Sequence, residues 1–326
     1  MPHRLKSSRL WAVMSIGASL LVAATGCLAP HAKTHTPDLR GNQDSQRTPE
    51  SSLAIDGLVQ KPKRALVIRN GSCVSITMYT EETKVTIAPG VQFPAWTFDG
   101  TVPGPVLYLR QGDHVKLTLV NLDPRMAHSI DLHAAQIPPN QAFTDVPPGS
   151  SKTIEFDAST PGVFMYHCES APMALHIAQG MFGAIIVTPK GGMPPNYVIV
   201  QSEFYKPLDI NEVLKGSPTY VVFNGEANKY VDHPLIAKVN QPISVAFVNA
   251  GPNDFSAFHV VGAIMRDVQE SGDPRNNSYG VQTCTVAPGD GALIHLLFTA
   301  PGEYSFVSHA MNQMEEGATG EFVVHQ

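Results

Sequence analysis

The sequence predicts an all-β protein made of two tandem Greek-key β-sandwich domains. Short apolar runs alternate with turn signals at intervals of about 8–12 residues, which is typical of sandwiches and barrels. Residues 106–109 (VLYL) run into the turn Gln111-Gly112-Asp113, and residues 115–120 alternate between apolar and polar side chains. No stretch shows a long helical period, and Asp209 to Lys215 is the best candidate for a short helix. The length of 326 residues suits two domains of ordinary size.

The second half repeats the order of signals in the first, which indicates a duplication. The matched pairs, first half then second, are Phe98-Asp99-Gly100 with Phe223-Asn224-Gly225, His128 with His259, His167 with His309, and Gly180 to Gly183 with Gly317 to Gly320. In this match Ala310 stands where the first copy has Cys168, and Ala318 where it has Met181. The two copies are therefore expected to differ in chemistry. The break near Gly191-Gly192 predicts a first domain over residues 62–190 and a second over residues 191–326.

One loop of the first copy carries a set of metal-type ligands. Cys168 is followed eight residues later by His176 and five residues after that by Met181. A thiolate, two imidazoles and a weak axial thioether form the blue-copper, or type 1, electron-transfer site. The loop supplies one histidine, and His128 is the natural candidate for the second. The sequence therefore predicts a type 1 copper site held by these four residues.

A second metal is expected on the other side of the same strand. His167 precedes Cys168, and neighbouring side chains of a strand point to opposite faces. His133 is a partner for His167, and Asp131 shares the strand face of His133. His114, His233, His295 and His325 are expected to be ordinary surface or core histidines.

The start of the chain predicts export. The first 27 residues contain, in order, a charged start with Arg4, Lys6 and Arg9, an apolar run over residues 11–24, and the box Ala24-Thr25-Gly26-Cys27. This pattern resembles a bacterial lipoprotein signal with lipid on Cys27, and a plain secretory signal is the alternative. Residues 28–61 are polar and suit a flexible tether. We expect an exported lipoprotein anchored to a membrane and facing the periplasm or the cell exterior.

Charge and the remaining cysteines add two expectations. The net charge of −6 leaves no basic stripe, so nucleic acid is not an expected partner, and any attraction for an anionic substrate must be local. A disulfide between Cys73 and Cys284 is permitted outside the cytoplasm, but no pattern in the sequence brings the two together.

Four motifs resemble those of copper-containing nitrite reductases with two cupredoxin domains, and most of all their short lipoprotein members. They are H-S-I-D-L-H-A-A, Y-H-C with H-I-A-Q-G-M-F-G, F-H-V-V-G, and S-H-A-M-N-Q-M-E-E-G-A-T-G, and the likeness runs from Ala88 to the last residue. It implies two tandem cupredoxin-like domains and one copper of each type per subunit. The implied type 1 ligands are His128, Cys168, His176 and Met181, and the implied type 2 ligands are His133, His167 and His309. Asp131 and His259 would be the acid/base pair, and His309 would reach the type 2 copper of a neighbouring subunit in a homotrimer.

The implied reaction is the one-electron reduction of nitrite to nitric oxide and water. The electron would enter at the type 1 copper and pass through Cys168 and His167 to the type 2 copper, and Thr283 would orient His259. Without a C-x-x-C-H haem motif in the sequence, the donor is expected to be a separate small cupredoxin or cytochrome c. The biological role, denitrification or detoxification, stays open.

Two alternatives remain at this stage. One is another type 1/type 2 multicopper oxidoreductase. The nearest rival, a two-domain laccase, would need paired His-X-His ligands for a trinuclear copper cluster. Here the pairs are broken, as in Asp131-Leu132-His133 and His167-Cys168-Glu169. A non-enzymatic blue-copper electron carrier would need neither the second metal nor the pair Asp131 and His259.

Overall fold

The computed structural model describes residues 66–142 and 144–326. The expected lipoprotein signal with Cys27 and the tether over residues 28–61 lie outside the described residues. In the part of the chain that is described, no helix combines the length and the apolar character needed to cross a membrane.

Two pairs of sheets follow each other along the described chain. The first pair lies within residues 66–188, and its strands and short helices are β1 (Leu66–Asn70), β2 (Cys73–Ala88), β3 (Val91–Phe98), β4 (Leu107–Arg110), β5 (His114–Asn121), β6 (Asp131–Leu132), α1 (Pro139–Ala142), β7 (Ser151–Asp157), β8 (Gly162–His167), α2 (Met173–Ala178) and β9 (Phe182–Thr188). One sheet has the order β1-β2-β5-β7, with β3 also paired to β2, and the other has the order β4-β9-β8-β6. We call this part the first sandwich.

The second sandwich lies within residues 197–325. Its elements are β10 (Tyr197–Phe204), α3 (Ile210–Lys215), β11 (Tyr220–Phe223), α4 (Lys229–Asp232), β12 (His233–Lys238), β13 (Ile243–Asn249), β14 (Ser256–Val260), β15 (Met265–Glu270), β16 (Asn277–Val281), β17 (Thr283–Val286), β18 (Gly291–Leu296), β19 (Gly302–Ser308), α5 (Met311–Glu315) and β20 (Thr319–His325). The sheet orders are β11-β10-β13-β18-β15-β16 and β12-β20-β19-β14-β17. The all-β, two-sandwich fold read from the sequence is confirmed.

Side-chain alternation explains why these segments form sandwiches. In β5, Val115, Leu117 and Leu119 are buried, and the residues between them are partly exposed. A strand with one apolar face must pack that face against another sheet. The second sandwich encloses a cluster of aromatic rings, with those of Phe247 and Phe258 4.8 Å apart. Each such fully buried ring stabilises the fold by on the order of 2–3 kcal/mol.

The two sandwiches share a further apolar layer. β9 is buried along nearly its whole length, which marks it as a strand covered on both faces. Its residues Ala184 and Ile186 belong to one buried cluster with Val200 and Ala246 of the second sandwich. This layer joins the two copies of the fold.

The short helix expected at Asp209 to Lys215 is present as α3. The Asp209 carboxylate accepts hydrogen bonds from the backbone N–H groups of Asn211 and Glu212, at 2.8 and 3.1 Å. The helix ends at Gly216, whose φ of +66° favours glycine. Asp209 is therefore the N-cap of the helix.

Equivalent hydrogen bonds show how the two copies correspond. The side-chain amide of Asn121, at the end of β5, donates to the carbonyl of Met126, five residues further on, and to that of Val146. The amide of Asn249, at the end of β13, donates to the carbonyl of Asp254, again five residues further on, and to that of Val286. His128 lies seven residues after the first asparagine, and Ser256 seven after the second. His128 therefore corresponds to Ser256, and His259 corresponds to Asp131.

The sequence match of histidine with histidine was thus wrong in register. In the first sandwich Cys168 N donates to Met181 O at 3.1 Å, and in the second Ser308 N donates to Ala318 O at 3.0 Å. Cys168 therefore corresponds to Ser308 and not to Ala310, and His309 corresponds to Glu169. The match of Met181 with Ala318 is confirmed. The match failed because it aligned histidines, whereas the register of a strand follows from its buried apolar side chains and from the adjoining turns.

The match of Asp99 with Asn224 is also confirmed. Asp99 N donates to Tyr79 O at 2.7 Å, and Asn224 N donates to Val200 O at 2.8 Å. Both residues have a positive φ, 57° and 50° respectively. Cys284 is a buried free thiol, so the disulfide that the sequence permitted between it and Cys73 does not form.

Candidate metal centres

Four side chains of the first sandwich approach each other from separate elements. His128 follows β5 and is held by a bridge to Val146. Cys168 directly follows β8, His176 lies in α2, and Met181 directly precedes β9. All four are fully buried. The fold thus brings one histidine from a distant strand to the loop that carries the other three residues.

The ligand atoms of this first cluster face one another. Cys168 Sγ lies 3.2 Å from Nδ1 of His176 and 3.9 Å from Nδ1 of His128. The backbone N–H of Ser129 donates to the same sulfur at 3.4 Å. Met181 is bound to this loop through its backbone, because its N–H donates to His176 O at 3.1 Å. A thiolate and two Nδ1 atoms at one point are the donor set that copper takes.

Neighbouring groups orient the two imidazole rings. His128 Nε2 lies 3.0 Å from the Asp123 carboxylate, which leaves Nδ1 free to bind a metal. The Trp96 ring packs against His176 with centroids 4.7 Å apart. Burial lowers the pKa of His176 to about 4, so its imidazole is neutral and carries a lone pair.

The thiol chemistry also suits a bound cation. Burial raises the pKa of the Cys168 thiol, and the hydrogen bonds from Ser129 and Ser170 only partly oppose this. A buried thiol therefore needs a positive charge nearby to become the thiolate, which a metal ion supplies when it displaces the proton. The residues present fit copper at this place.

A second cluster contains His133, His167 and Asp131. The Nε2 atoms of the two histidines are 3.1 Å apart, and each lies 3.6 Å from the Asp131 carboxylate. Asp131 on β6 is paired directly with His167 on β8. The side chains of His133 and Asp131 retain 29% and 19% of their exposure, so a small anion from solvent can reach them.

The tautomers of the second pair follow from their partners. His133 Nδ1 faces the carbonyl of Gly289, and His167 Nδ1 faces the carbonyl of Cys168, both at 3.0 Å. A carbonyl can only accept, so each Nδ1 carries a proton, and the two Nε2 atoms face the same point. Burial lowers the pKa of His133, and the Asp131 carboxylate raises it by less. The neutral form of His133 is therefore favoured. Two imidazole Nε2 atoms turned to one point beside a carboxylate can hold a metal ion together, so the pair fits one.

Consecutive residues link the two clusters. Cys168 contributes its sulfur to the first cluster, and His167 contributes its ring to the second. The distance between the clusters is therefore spanned by a single peptide bond and two side chains. His167 ends β8 and Cys168 directly follows it, and neighbouring side chains of an extended chain point in opposite directions.

His259 and His309 lie together in the second sandwich. Their ring centroids are 5.2 Å apart. His259 Nδ1 faces the Gln282 carbonyl at 2.7 Å, with the Thr283 hydroxyl at 3.5 Å. His309 is exposed on the turn after β19, and its N–H donates to Ala257 O at 2.7 Å. Among the described residues the clusters of converging ligand atoms include neither His259 nor His309.

Several contributing residues were not predicted from the sequence. Asp123 and Trp96 support the first cluster, and the Gly289 carbonyl of the second sandwich orients His133. An acidic residue soon after β5 could have suggested Asp123. The Gly289 contact depends on backbone from the other sandwich, so only the folded chain reveals it. His114 and His295 pair with Asp157 and Asp267, at 2.7 and 2.8 Å, away from both clusters.

The sequence is similar to those of known copper proteins. Residues 79–192 match the family model described as multicopper oxidase. The copper-containing nitrite reductase of Neisseria meningitidis serogroup B is 36% identical over 268 residues, which cover 77% of this chain and 68% of that protein. This chain belongs to the family of copper-containing nitrite reductases.

Solved structures agree with this family. The structure of copper nitrite reductase from Nitrosomonas europaea is 38% identical, with a TM-score of 0.75 over 77% of this chain and 94% of that chain. The Cu-containing nitrite reductase from Thermus scotoductus SA-01 is 32% identical, with a TM-score of 0.71 over 77% and 61% respectively. The family resemblance read from the motifs is confirmed, and with it an oxidoreductase of cupredoxin-like fold.

Proposed function

We propose that this protein reduces nitrite to nitric oxide and water with one electron, using copper. The observation that carries the proposal is the junction of Cys168 and His167, which places two metal-type clusters one peptide bond apart. An electron carrier needs only the first cluster. The second cluster, open to solvent and beside a carboxylate, is what a reductase of a small anion requires.

Each copper would have its own ligands. His128, Cys168, His176 and Met181 would hold the type 1 copper, and His133, His167 and His309 would hold the type 2 copper, one of each per subunit. Bound copper would supply the change of oxidation state and the positive charge that attracts nitrite. The chain itself provides a covalent path between the two centres through Cys168 and His167.

The residues around the second cluster would supply protons. Conversion of nitrite to nitric oxide and water consumes two protons for each electron. The Asp131 carboxylate lies 3.6 Å from Nε2 of both histidines, so it can hydrogen-bond a nitrite oxygen placed beside them and deliver a proton. His259 lies beside His309, with ring centroids 5.2 Å apart, so in a type 2 site shared between subunits it would approach with that histidine as the second proton source.

The direct test is nitrite-dependent nitric oxide production. Copper-loaded protein without residues 1–27 would be mixed with an artificial electron donor and nitrite in the absence of air. We expect one nitric oxide per electron consumed. A parallel assay with dioxygen in place of nitrite should give little turnover. Rapid four-electron dioxygen reduction without nitric oxide formation would instead favour a laccase.

We further propose that the type 2 centre is shared between subunits of a homotrimer. Its support is the position of His309, which lies in the second sandwich outside the cluster that contains His133 and His167. In a closed ring each His309 would complete the site of the next subunit. Light scattering should report about three chains.

Mixing two inactive variants tests the shared site. His133→Ala and His309→Ala should each lack the type 2 copper. After unfolding and refolding in an equimolar mixture, about a quarter of the sites should pair an intact His133 with an intact His309 of the neighbour in the ring. Activity and type 2 copper should recover in that proportion. No recovery would show that both ligands come from one chain.

We propose that the chain is exported and lipid-anchored through Cys27, with its sandwiches in the periplasm or outside the cell. The support is the charged start, the apolar run and the box Ala24-Thr25-Gly26-Cys27. Cys27→Ser should move the protein from the membrane fraction to the soluble fraction with unchanged copper content. Equal retention in the membrane fraction would contradict the anchor. The electron donor is then a separate small cupredoxin or cytochrome c in the same compartment.

The domain boundary is proposed to fall between residues 190 and 191. β9 ends at Thr188 and β10 begins at Tyr197, and Gly191 and Gly192 between them are exposed. Of the bonds after residue 62, limited proteolysis should therefore cleave those within residues 189–196 first. A first cut inside either sandwich would contradict this boundary.

A further inference from the structure

The second sandwich contains a filled counterpart of the first cluster. Ser256 and Ser308 occupy the positions of His128 and Cys168. Gln313 corresponds to His176, because Ala318 N donates to Gln313 O at 2.9 Å as Met181 N donates to His176 O at 3.1 Å. The four positions that hold a sulfur- and imidazole-rich cluster in one copy hold Ser256, Ser308, Gln313 and Ala318 in the other.

These residues form a closed set of buried hydrogen bonds. The Ser308 hydroxyl donates to Gln313 Oε1 at 2.5 Å, and Gln201 Nε2 donates to the same oxygen at 3.2 Å. The Ser256 hydroxyl donates to Gln201 Oε1 at 2.7 Å, and Gln313 Nε2 donates to Phe255 O at 3.1 Å. The two serines and Gln201 are fully buried, and Gln313 is 3% exposed. We call the four polar residues Gln201, Ser256, Ser308 and Gln313 the polar network.

The polar network holds the backbone that carries His309. The Ala257 N–H donates to the Ser308 hydroxyl at 3.3 Å, as the Ser129 N–H donates to the Cys168 sulfur at 3.4 Å. Ala257 in turn accepts from His309 N–H at 2.7 Å. His259 lies two residues beyond Ala257 on β14. The strand bearing His259 and the turn bearing His309 are therefore joined at the polar network.

We infer that Ser308 and Gln313 are positioning residues for His309. Their hydrogen bonds hold the surrounding backbone of the second sandwich in place, as a bound copper would hold that of the first. Serine hydroxyls and glutamine amides are neutral oxygen ligands of little value to copper. Their hydrogen bonds to one another and to the backbone rigidify a buried site, because any break leaves an unpaired polar group. His309 is consequently held ready for the type 2 copper whether or not the first cluster is loaded. This inference rests on the proposed type 2 centre.

The test uses two variants and a matched control in the full copper-loaded protein. Ser308→Ala removes the central hydroxyl, and Gln313→Met keeps the length of the side chain without its hydrogen bonds. Ser244→Ala is the control, because the Ser244 hydroxyl on β13 also donates to a side-chain amide oxygen, that of Asn196 just before β10 at 3.1 Å, away from His309. The readouts are type 2 copper retained against a chelator, the hyperfine splitting of the type 2 copper, and the blue absorption.

Both network variants should lose type 2 copper to the chelator about tenfold or more readily, the usual effect of removing a supporting contact around a metal ligand. Their blue absorption should match that of the Ser244→Ala control. Normal retention and an unchanged type 2 spectrum in both variants would overturn the inference. Equal loss of blue absorption, or of soluble protein, in both would show general support of folding and would overturn it as well. Failure of the unaltered protein to hold type 2 copper would instead count against the proposed function.

Discussion

His133→Ala should reduce nitrite turnover to the background of the assay while the intense thiolate-to-copper absorption stays unchanged. The reason is that His133 Nε2 belongs to the second cluster, 3.1 Å from His167 Nε2, whereas only Cys168 supplies a thiolate to the first. Copper analysis should show one copper lost per chain. Visible absorption, copper content and nitric oxide formation measured on one preparation would check the prediction.

A variant of the first cluster and a control variant accompany this test. Cys168→Ala should abolish the absorption and stop electron delivery. His295→Ala removes a histidine that pairs with Asp267 at 2.8 Å outside both clusters, so it should retain colour, copper and turnover. Loss of colour in His133→Ala would mean that the two clusters do not hold separate metals as assigned.

Asp131→Asn should keep both coppers and the blue spectrum but lose about 10²-fold or more of nitrite turnover, the usual scale for a positioned proton donor. The carboxylate lies near the second cluster and is partly open to solvent, so its loss removes a proton and a hydrogen bond from the place where nitrite must sit. Asp267→Asn is the matched control, since that carboxylate also pairs with a histidine but at a distant site. Steady-state rates with copper analysis would separate loss of chemistry from loss of metal.

His259→Ala should lower turnover by a similar factor. The double variant should fall by much less than the product of the two losses, because residues that act as a unit are not additive. Turnover of the unaltered protein should decline as pH rises, because the reaction consumes two protons. Near-normal turnover of Asp131→Asn across that pH range would refute the proton-delivery role even if every copper ligand is placed correctly.

The internal duplication shows where reading a sequence by residue type fails. Matching His128 to His259 and His167 to His309 treated histidine as the invariant feature. The equivalent hydrogen bonds of Asn121 and Asn249 instead pair His128 with Ser256. His259 corresponds to Asp131, three positions from His128, and an odd shift along a strand exchanges its two faces.

By itself the sequence determined the all-β class, the short helix after Asp209 and the membership of the family. These features were readable because they are local: alternation along a strand, a cap before a helix, and Cys168, His176 and Met181 within one loop. Each depends on residues close together in the chain, whose geometry follows from the strand or turn that contains them.

Only the tertiary structure decided which atoms converge. It turned the Nε2 atoms of His133 and His167 to one point through two backbone carbonyls, one of them from Gly289 in the other sandwich. It also placed His309 apart from that pair and replaced the second copy of the first cluster by buried hydrogen bonds around Gln313. Contacts between residues far apart in the chain depend on sheet register and on how the two sandwiches pack, and neither is encoded in any short stretch of sequence.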